Sequence, residues 1–148
     1  MAKIKVNLKE NPYEIVIESD HLAQLGRIIE QEKWGRDIFL FTDPVVNELY
    51  GDEVRKGFKN RVRVFEVPRG ERHKNLKEAS RLYDQLIRCG AHRDSLIVAL
   101  GGGVVGDLAG FVAATFMRGI NYIQVPTTLL AQVDAAIGGK TGVNHPRG

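Results

Sequence analysis

A chain of 148 residues, 43% hydrophobic and 26% charged, has the size and composition of one globular domain with a sizeable core. Its net charge of +3 is dispersed through Arg55-Lys56, Arg61 to Arg63 and Arg69 to Arg72 without interleaved aromatics, which argues against a nucleic-acid face. The single cysteine, Cys89, excludes an internal disulfide and a cysteine-based zinc site and fits a reducing cytoplasm, while MAKIKVNLKE lacks the apolar run of a signal peptide and no apolar stretch is long enough to cross a bilayer.

In chain order, Ile4, Val6 and Leu8 alternate with polar residues, Lys9-Glu10-Asn11-Pro12 breaks the pattern, and Tyr13, Ile15 and Ile17 resume it. Period-two alternation about a turn predicts an antiparallel hairpin with one wet face. Ser19 and Asp20 are placed to cap a helix carrying Leu22, Leu25, Ile28 and Ile29. The rhythm then becomes strand, helix, strand. DIFLFT (37 to 42) is a strand, and Asp43-Pro44 opens a helix with proline at its first position. RVRVFEV (61 to 67) is a strand and Pro68-Arg69-Gly70 a loop. Asn75 caps a helix on which Leu76, Ala79, Leu82, Leu86 and Cys89 share an apolar face, with Cys89 as a small buried hydrophobe and Gly90 as the stop. SLIVAL (95 to 100) is apolar on both sides, as a strand inside a parallel sheet should be. A helix follows the glycines at 101 to 103 and runs to about Met117; NYIQV (121 to 125) is the last strand, and TTLLAQVDAAI (127 to 137) reads as a helix. Strands alternating with helices predict right-handed crossovers and a Rossmann-like, doubly wound, mostly parallel α/β sheet behind the N-terminal hairpin.

Two glycine motifs invite a phosphate. Gly138-Gly139-Lys140-Thr141 resembles the end of a P-loop, but the position that must be glycine is Asp134, a carboxylate, and a helical stretch precedes the motif instead of a strand. A triphosphate anchor is therefore set aside. The junction SLIVALGGGVVGDLAGF is better placed: Gly101, Gly103 and Gly106 satisfy G-x-G-x-x-G between a buried strand and a helix, where three glycines allow a sharp turn and free amides at a positive helix end favour a diphosphate. A tight strand–helix turn with no ligand is the competing reading. The acid normally found about 20 residues on is missing, and Asp43, at an earlier strand end, is the candidate to hold the ribose.

The run GGGVVGDLAGFVAATFMRGINYIQVPTTLLAQVDAAIGGKTGVNHPRG, residues 101 to 148, resembles the signature block of the 3-dehydroquinate synthase family, and Thr42-Asp43 and PRGERHK (68 to 74) agree with it. The resemblance implies that residues 1 to 148 form an N-terminal NAD-binding domain, with the family's helical metal- and substrate-binding domain lying outside this chain. It implies an NAD-dependent carbon–oxygen lyase of the shikimate pathway, serving aromatic amino acid biosynthesis, that converts 3-deoxy-D-arabino-heptulosonate 7-phosphate to 3-dehydroquinate and phosphate. In that family a hydroxyl is oxidised by NAD, phosphate leaves by β-elimination, the ketone is reduced back and the ring closes by aldol addition. A divalent zinc or cobalt ion polarises the reacting oxygen. It also implies a homodimer, while the cysteine usage and the N-terminus suggest the cytoplasm. The isolated domain is expected to be inactive.

Carried over by position, the resemblance makes Asp43 the ribose acid and Glu71 and Lys74 the cofactor-contacting loop. Gly102, Gly103, Val104, Val105, Gly106 and Asp107 become the diphosphate turn, and Thr127 and Thr128 neighbours of the nicotinamide half. Arg118 would reach the substrate phosphate of a neighbouring subunit, Asp134 the substrate, and Lys140 both substrate and cofactor. No residue is assigned a catalytic role. Each assignment has a plainer rival: Asp43 as a helix cap, Thr127 and Thr128 as caps, Asp107 as a first-turn acid, Arg118 as a charge at a helix end, Glu71 and Lys74 as solvated loop charges. His73 stands where the family has tyrosine, and Val45 where it has an acid or asparagine. His21, His73, His92 and His145 are too scattered for a metal site, and the family's metal ligands belong to the other domain. Other sugar-phosphate cyclases, glycerol-dehydrogenase-like oxidoreductases and a non-catalytic nucleotide-binding or dimerising module are the alternatives.

Overall fold

The computed structural model describes residues 2–10, 12–59 and 62–147. Strands β1 (Ala2–Val6) and β2 (Tyr13–Ile17) form the expected antiparallel hairpin, with Ile4 opposite Ile15 and Val6 opposite Tyr13. Asn11, within the expected turn, lies outside the described residues. The face expected to be dry is only half covered: Tyr13, Ile15 and Val6 are half-buried, while Ile4 and, beyond the strand end, Leu8 are exposed.

Four strands make the main sheet: β3 (Ile38–Thr42), β4 (Arg63–Glu66), β5 (Leu96–Gly101) and β6 (Asn121–Pro126). They are parallel, in the order β4-β3-β5-β6. The first residue of the strand read as RVRVFEV, Arg61, lies outside the described residues. Period-two alternation sends Phe39, Phe41, Ile97 and Ala99 to one side of the sheet and Ile38, Leu40, Leu96, Val98 and Leu100 to the other. Helices α1 (Leu25–Glu32) and α2 (Pro44–Lys56) cover the second side through Ile29 and Val54. Helices α3 (Leu76–Arg88) and α4 (Gly103–Thr115) cover the first through Ala79, Leu82, Leu86, Leu108 and Val112. This is the doubly wound arrangement. The chain steps from β3 outward to β4, returns across β3 to β5 and continues to β6, so its direction reverses between β3 and β5.

Helix starts follow their caps in two cases. Asp43 accepts from the Val45 and Val46 amides ahead of Pro44, and Asn75 accepts from the Glu78 amide. Ser19 and Asp20 do not cap. Asp20 takes the left-handed conformation (φ 57°), and the chain enters α1 through a 3₁₀ turn at Leu22–Gln24 with no side-chain cap. Leu76, at the first position of α3, is 54% exposed instead of joining the core stripe, and Cys89, at the helix end, is half-buried. The segment read as a helix from Thr127 is a short one that loosens into a π-helical turn at Ala131–Ala135. No helix is long and apolar enough to cross a membrane among the described residues.

Candidate functional site

In parallel sheets, ligands sit beyond the carboxyl ends of the strands, where the winding reverses. Here β3 and β5 are adjacent, with Thr42 paired to Leu100, so the residues that follow them, Asp43 and Gly102, flank that point. A cleft of about 250 Å³ opens there. One wall is Asp43, Val46 and the loop Pro68 to Gly70; the other is Gly102 to Val105 with Thr127 and Thr128. A larger hollow of about 550 Å³ lies at the opposite, amino-terminal end of the strands, between Trp34, Arg36, Asp94 and Asn121, the first residue of β6.

The glycine turn works by close approach. None of Gly101, Gly102, Gly103 or Gly106 has a positive φ, so the left-handed backbone that often requires glycine in sharp turns is not used. A Cβ on Gly101 would stand 2.7 Å from the Val105 side chain, and one on Gly106 would stand 3.0 Å from Gln124 on β6. These two glycines seat α4 on the sheet. A Cβ on Gly103 meets nothing nearer than Ala135, at 3.7 Å, so packing does not demand glycine there. The first bond of α4 runs from the Gly106 amide to the Gly102 carbonyl at 3.0 Å, and no side chain caps the helix. The amides of Gly103, Val104 and Val105 are thus outside the helix ladder and face a cleft lined by those same residues. Free amides at a helix start have the chemistry to receive an anion.

Asp43 is the helix cap that its plainer reading describes: its Oδ1 takes the Val45 and Val46 amides at 3.1 and 3.2 Å, and the Arg69 Nε stands 3.7 Å from the same oxygen. All these contacts use one oxygen, so the other is without a partner among the described residues. Thr128 likewise caps, its Oγ1 accepting from the Ala131 amide at 3.2 Å. Thr127 joins the turn through its backbone, donating to the Gly101 carbonyl at 3.0 Å. Capping and cleft-lining coincide in the same residues.

Glu71, Lys74 and Asp107 are brought together. Lys74 Nζ donates to Asp107 Oδ2 at 3.1 Å and to Glu71 Oε1 at 2.7 Å. Lys74 and Asp107 are 17% and 22% exposed, so this pair is largely withdrawn from water. Burial alone would pull the Lys74 ammonium down, but its bonds to Glu71 and Asp107 outweigh that and hold it above the ordinary lysine range. The Lys74 bond, and after it one from Asn144, holds the Glu71 carboxyl below its usual value. With two carboxylates on one ammonium, Lys74 is not a free cation for a diphosphate. Its charge orders the loop. Burial also raises the Tyr122 phenol well above the usual tyrosine range, against a smaller opposing bond to Gln124, and the Asp107 charge adds to the rise; the hydroxyl donates to the Gly106 carbonyl at 3.1 Å.

Arg118, Asp134 and Lys140 do not line the cleft. Arg118 is exposed in a 3₁₀ turn (Phe116–Arg118) at the far end of α4, about 20 Å from Gly103 along a 13-residue helix. Lys140 pairs with Asp134, both exposed, and Gly138 and Gly139 precede the lysine at φ 82° and 66°. The glycine pair there serves left-handed turning, which a β-carbon would oppose. Sequence reasoning gives no site role to Val46, Pro68, Arg69 and Gly70, which line the cleft, or to Asn144, which binds Glu71. Pro68, Arg69 and Gly70 stand in the PRGERHK run and Asn144 in the GVNHP run, whereas Val46 had no such signal.

A parallel sheet wound in both directions, with an uncapped glycine turn at its reversal point, defines a Rossmann-like nucleotide-binding class of domain. A family model described as 3-dehydroquinate synthase N-terminal matches residues 64–148. The chain is 53% identical over 152 residues to a 3-dehydroquinate synthase of Pelobacter propionicus, matching along all of its own length and 42% of that protein's. It is similar in structure to a 2-deoxy-scyllo-inosose synthase complexed with carbaglucose-6-phosphate, NAD+ and Co2+ (TM-score 0.90, 27% identity, 99% of this chain and 41% of that one). It is also similar to the 2-epi-5-epi-valiolone synthase of Streptomyces hygroscopicus subsp. jinggangensis 5008 with NAD+ and Zn2+ bound (TM-score 0.76, 29% identity, 95% and 39% covered). The chain belongs to the 3-dehydroquinate synthase family. It spans about two-fifths of the length of the relatives it matches.

Proposed function

We propose that this chain is the NAD-binding part of a 3-dehydroquinate synthase acting on 3-deoxy-D-arabino-heptulosonate 7-phosphate. The observation that carries the proposal is the cradle of unclaimed amides at Gly103, Val104 and Val105, facing Asp43 across the cleft. Those amides would hold the diphosphate, and the free carboxylate oxygen of Asp43 would accept from a ribose hydroxyl. Gly103 leaves room for that approach. Lys74, bound to Glu71 and Asp107, would steady the residues next to the lining loop Pro68 to Gly70 without competing for the anion. Bound NAD supplies a reversible hydride acceptor.

The residues of this chain do not fit a divalent metal: among the described residues no three His, Cys, Asp or Glu side chains are grouped to hold one. No step is assigned to zinc or cobalt here. The exposed Lys140–Asp134 pair, on a segment with two left-handed glycines, would meet the substrate, and Arg118 would serve a second copy's substrate in a cytoplasmic homodimer. Turnover then requires the remaining three-fifths of the family's length.

Two titrations test this. NAD is titrated calorimetrically into the chain, and phosphate release from the heptulosonate phosphate is assayed with and without the C-terminal part of a relative supplied in trans. Saturable NAD binding, with release only in the supplemented mixture, is the expected result. Release by the chain alone refutes the division of labour, and an absence of both binding and supplemented release refutes the reading.

A further inference from the structure

Asn144 does not line the cleft, yet it binds the residues that directly follow the cleft-lining loop Pro68 to Gly70. Its Nδ2 donates to Glu71 Oε1 at 2.8 Å, its backbone amide donates to the Lys74 carbonyl at 2.7 Å, and it forms a parallel bridge with Asn75. The Glu71 oxygen it binds is the one that faces Lys74 Nζ. An ionised carboxylate only accepts, so the chemistry itself places the NH₂ of Asn144 toward Glu71. The segment leading to Asn144 is anchored along its way. The Gly138 amide donates to the Tyr13 hydroxyl at 3.0 Å, the Thr141 methyl occupies the space beside Gly110 where a Cβ would come within 2.2 Å, and the Gly142 amide reaches the Asp107 carbonyl at 3.4 Å. Residues 138 to 144 therefore run from the hairpin, past α4, to the loop at 70 to 75.

We infer that Asn144 is a positioning residue that clamps Glu71 onto Lys74 and so fixes residues 71 to 75, the stretch that continues directly from the cleft-lining loop Pro68 to Gly70. Glu71 is 61% exposed and sits in a single 3₁₀ turn, so without Asn144 only the Lys74 ion pair restrains its side chain. Lys74 keeps Asp107 in either case, but it loses the second carboxylate whenever Glu71 swings into water. The consequence for nucleotide rests on the proposed NAD reading of the cleft; the consequence for Lys74 does not.

The test compares Asn144→Leu, close in shape but without a donor, with Asn144→Ala, which also removes volume. The Lys74 ammonium is titrated by NMR of its side chain, and NAD affinity is measured calorimetrically. Both variants should lower the Lys74 midpoint alike and weaken NAD about five-fold, the worth of one hydrogen bond near 1 kcal/mol. In a Glu71→Gln background the Leu change should add little. A midpoint unmoved in both variants overturns the proposal, and so does an unchanged NAD affinity. A midpoint that falls only in the Ala variant assigns Asn144 to packing and also overturns it. A wild-type chain blind to NAD sinks the nucleotide reading and this role's bearing on it together, an outcome separable from a binding wild type with indifferent variants.

Discussion

Lys74 and Asp107, 33 residues apart, meet at 3.1 Å and tie the loop after β4 to the first turns of α4. With Glu71 on the same ammonium, the pair holds the residues that directly follow Pro68 to Gly70, the loop that lines the cleft opposite the glycine turn. Removing one partner of a pair this withdrawn from water leaves an uncompensated charge. Asp107→Asn should lower the urea unfolding free energy by about 1 kcal/mol, because each partner keeps some access to solvent and Lys74 retains Glu71. Denaturant midpoints measure this directly, and an unchanged midpoint would show that the pair adds nothing.

The same cluster sets a pH dependence of stability with a defined sign at each end. The Glu71 carboxyl is depressed in the folded chain, so its contribution is complete above its unfolded value near 4.5 and is lost as pH falls through the lower folded value. The Lys74 ammonium is raised, so its contribution is complete below the unfolded value near 10.5 and is lost as pH rises through the higher folded value. Glu71→Gln should flatten the acid limb of a thermal-stability profile between about pH 3 and 5, and Lys74→Met the alkaline limb. Profiles parallel to wild type would contradict both.

Glycines in one turn should answer alanine differently. Gly103→Ala meets only ordinary contact and no backbone strain, so the fold should hold or gain a few tenths of a kcal/mol, while NAD affinity falls at least tenfold as a methyl fills the cradle. Gly101→Ala instead drives into the Val105 side chain and should cost roughly 1–3 kcal/mol in stability, while Gly106→Ala meets only the movable end of the Gln124 side chain and should cost less. Equal behaviour of the three would remove the distinction between cradle and packing.

Asp43 serves two ends that substitution can separate. Asparagine caps helices about as well as aspartate, so Asp43→Asn should keep the α2 cap and lie within about 0.5 kcal/mol of wild type. Asp43→Ala should lose about 1 kcal/mol. Both should weaken NAD if the free carboxylate oxygen receives a ribose hydroxyl. Thermal melts and calorimetry on the two variants separate cap from ligand, and a nucleotide affinity preserved in Asp43→Asn would show that its charge is not needed.

Much of this architecture can be read without coordinates, for reasons that are local. DIFLFT and SLIVAL are apolar on both faces because strands covered on both sides must be, and both lie in the middle of the sheet. Asp43-Pro44 and Asn75 mark helix starts because their side chains satisfy amides two or three residues away. Ser19-Asp20 looks equivalent, yet Asp20 turns left-handed, a choice made by surroundings that no short window contains. TTLLAQVDAAI reads as a helix, but the segment loosens into a π-helical turn at Ala131–Ala135, and Leu129 and Leu130 before it are 75% and 71% exposed. The family resemblance supplies Glu71, Lys74 and Asp107 as candidates. Their mutual pairing, and the hold of Asn144 on Glu71, depend on contacts between segments distant in the chain.

The most direct test is an amide-resolved NMR titration of the chain with NAD. The account predicts saturable shifts centred on Gly103, Val104 and Val105, extending to Asp43 and Val46 across the cleft. Shifts centred instead on Trp34, Arg36 and Asp94, at the opposite end of the strands, would contradict it.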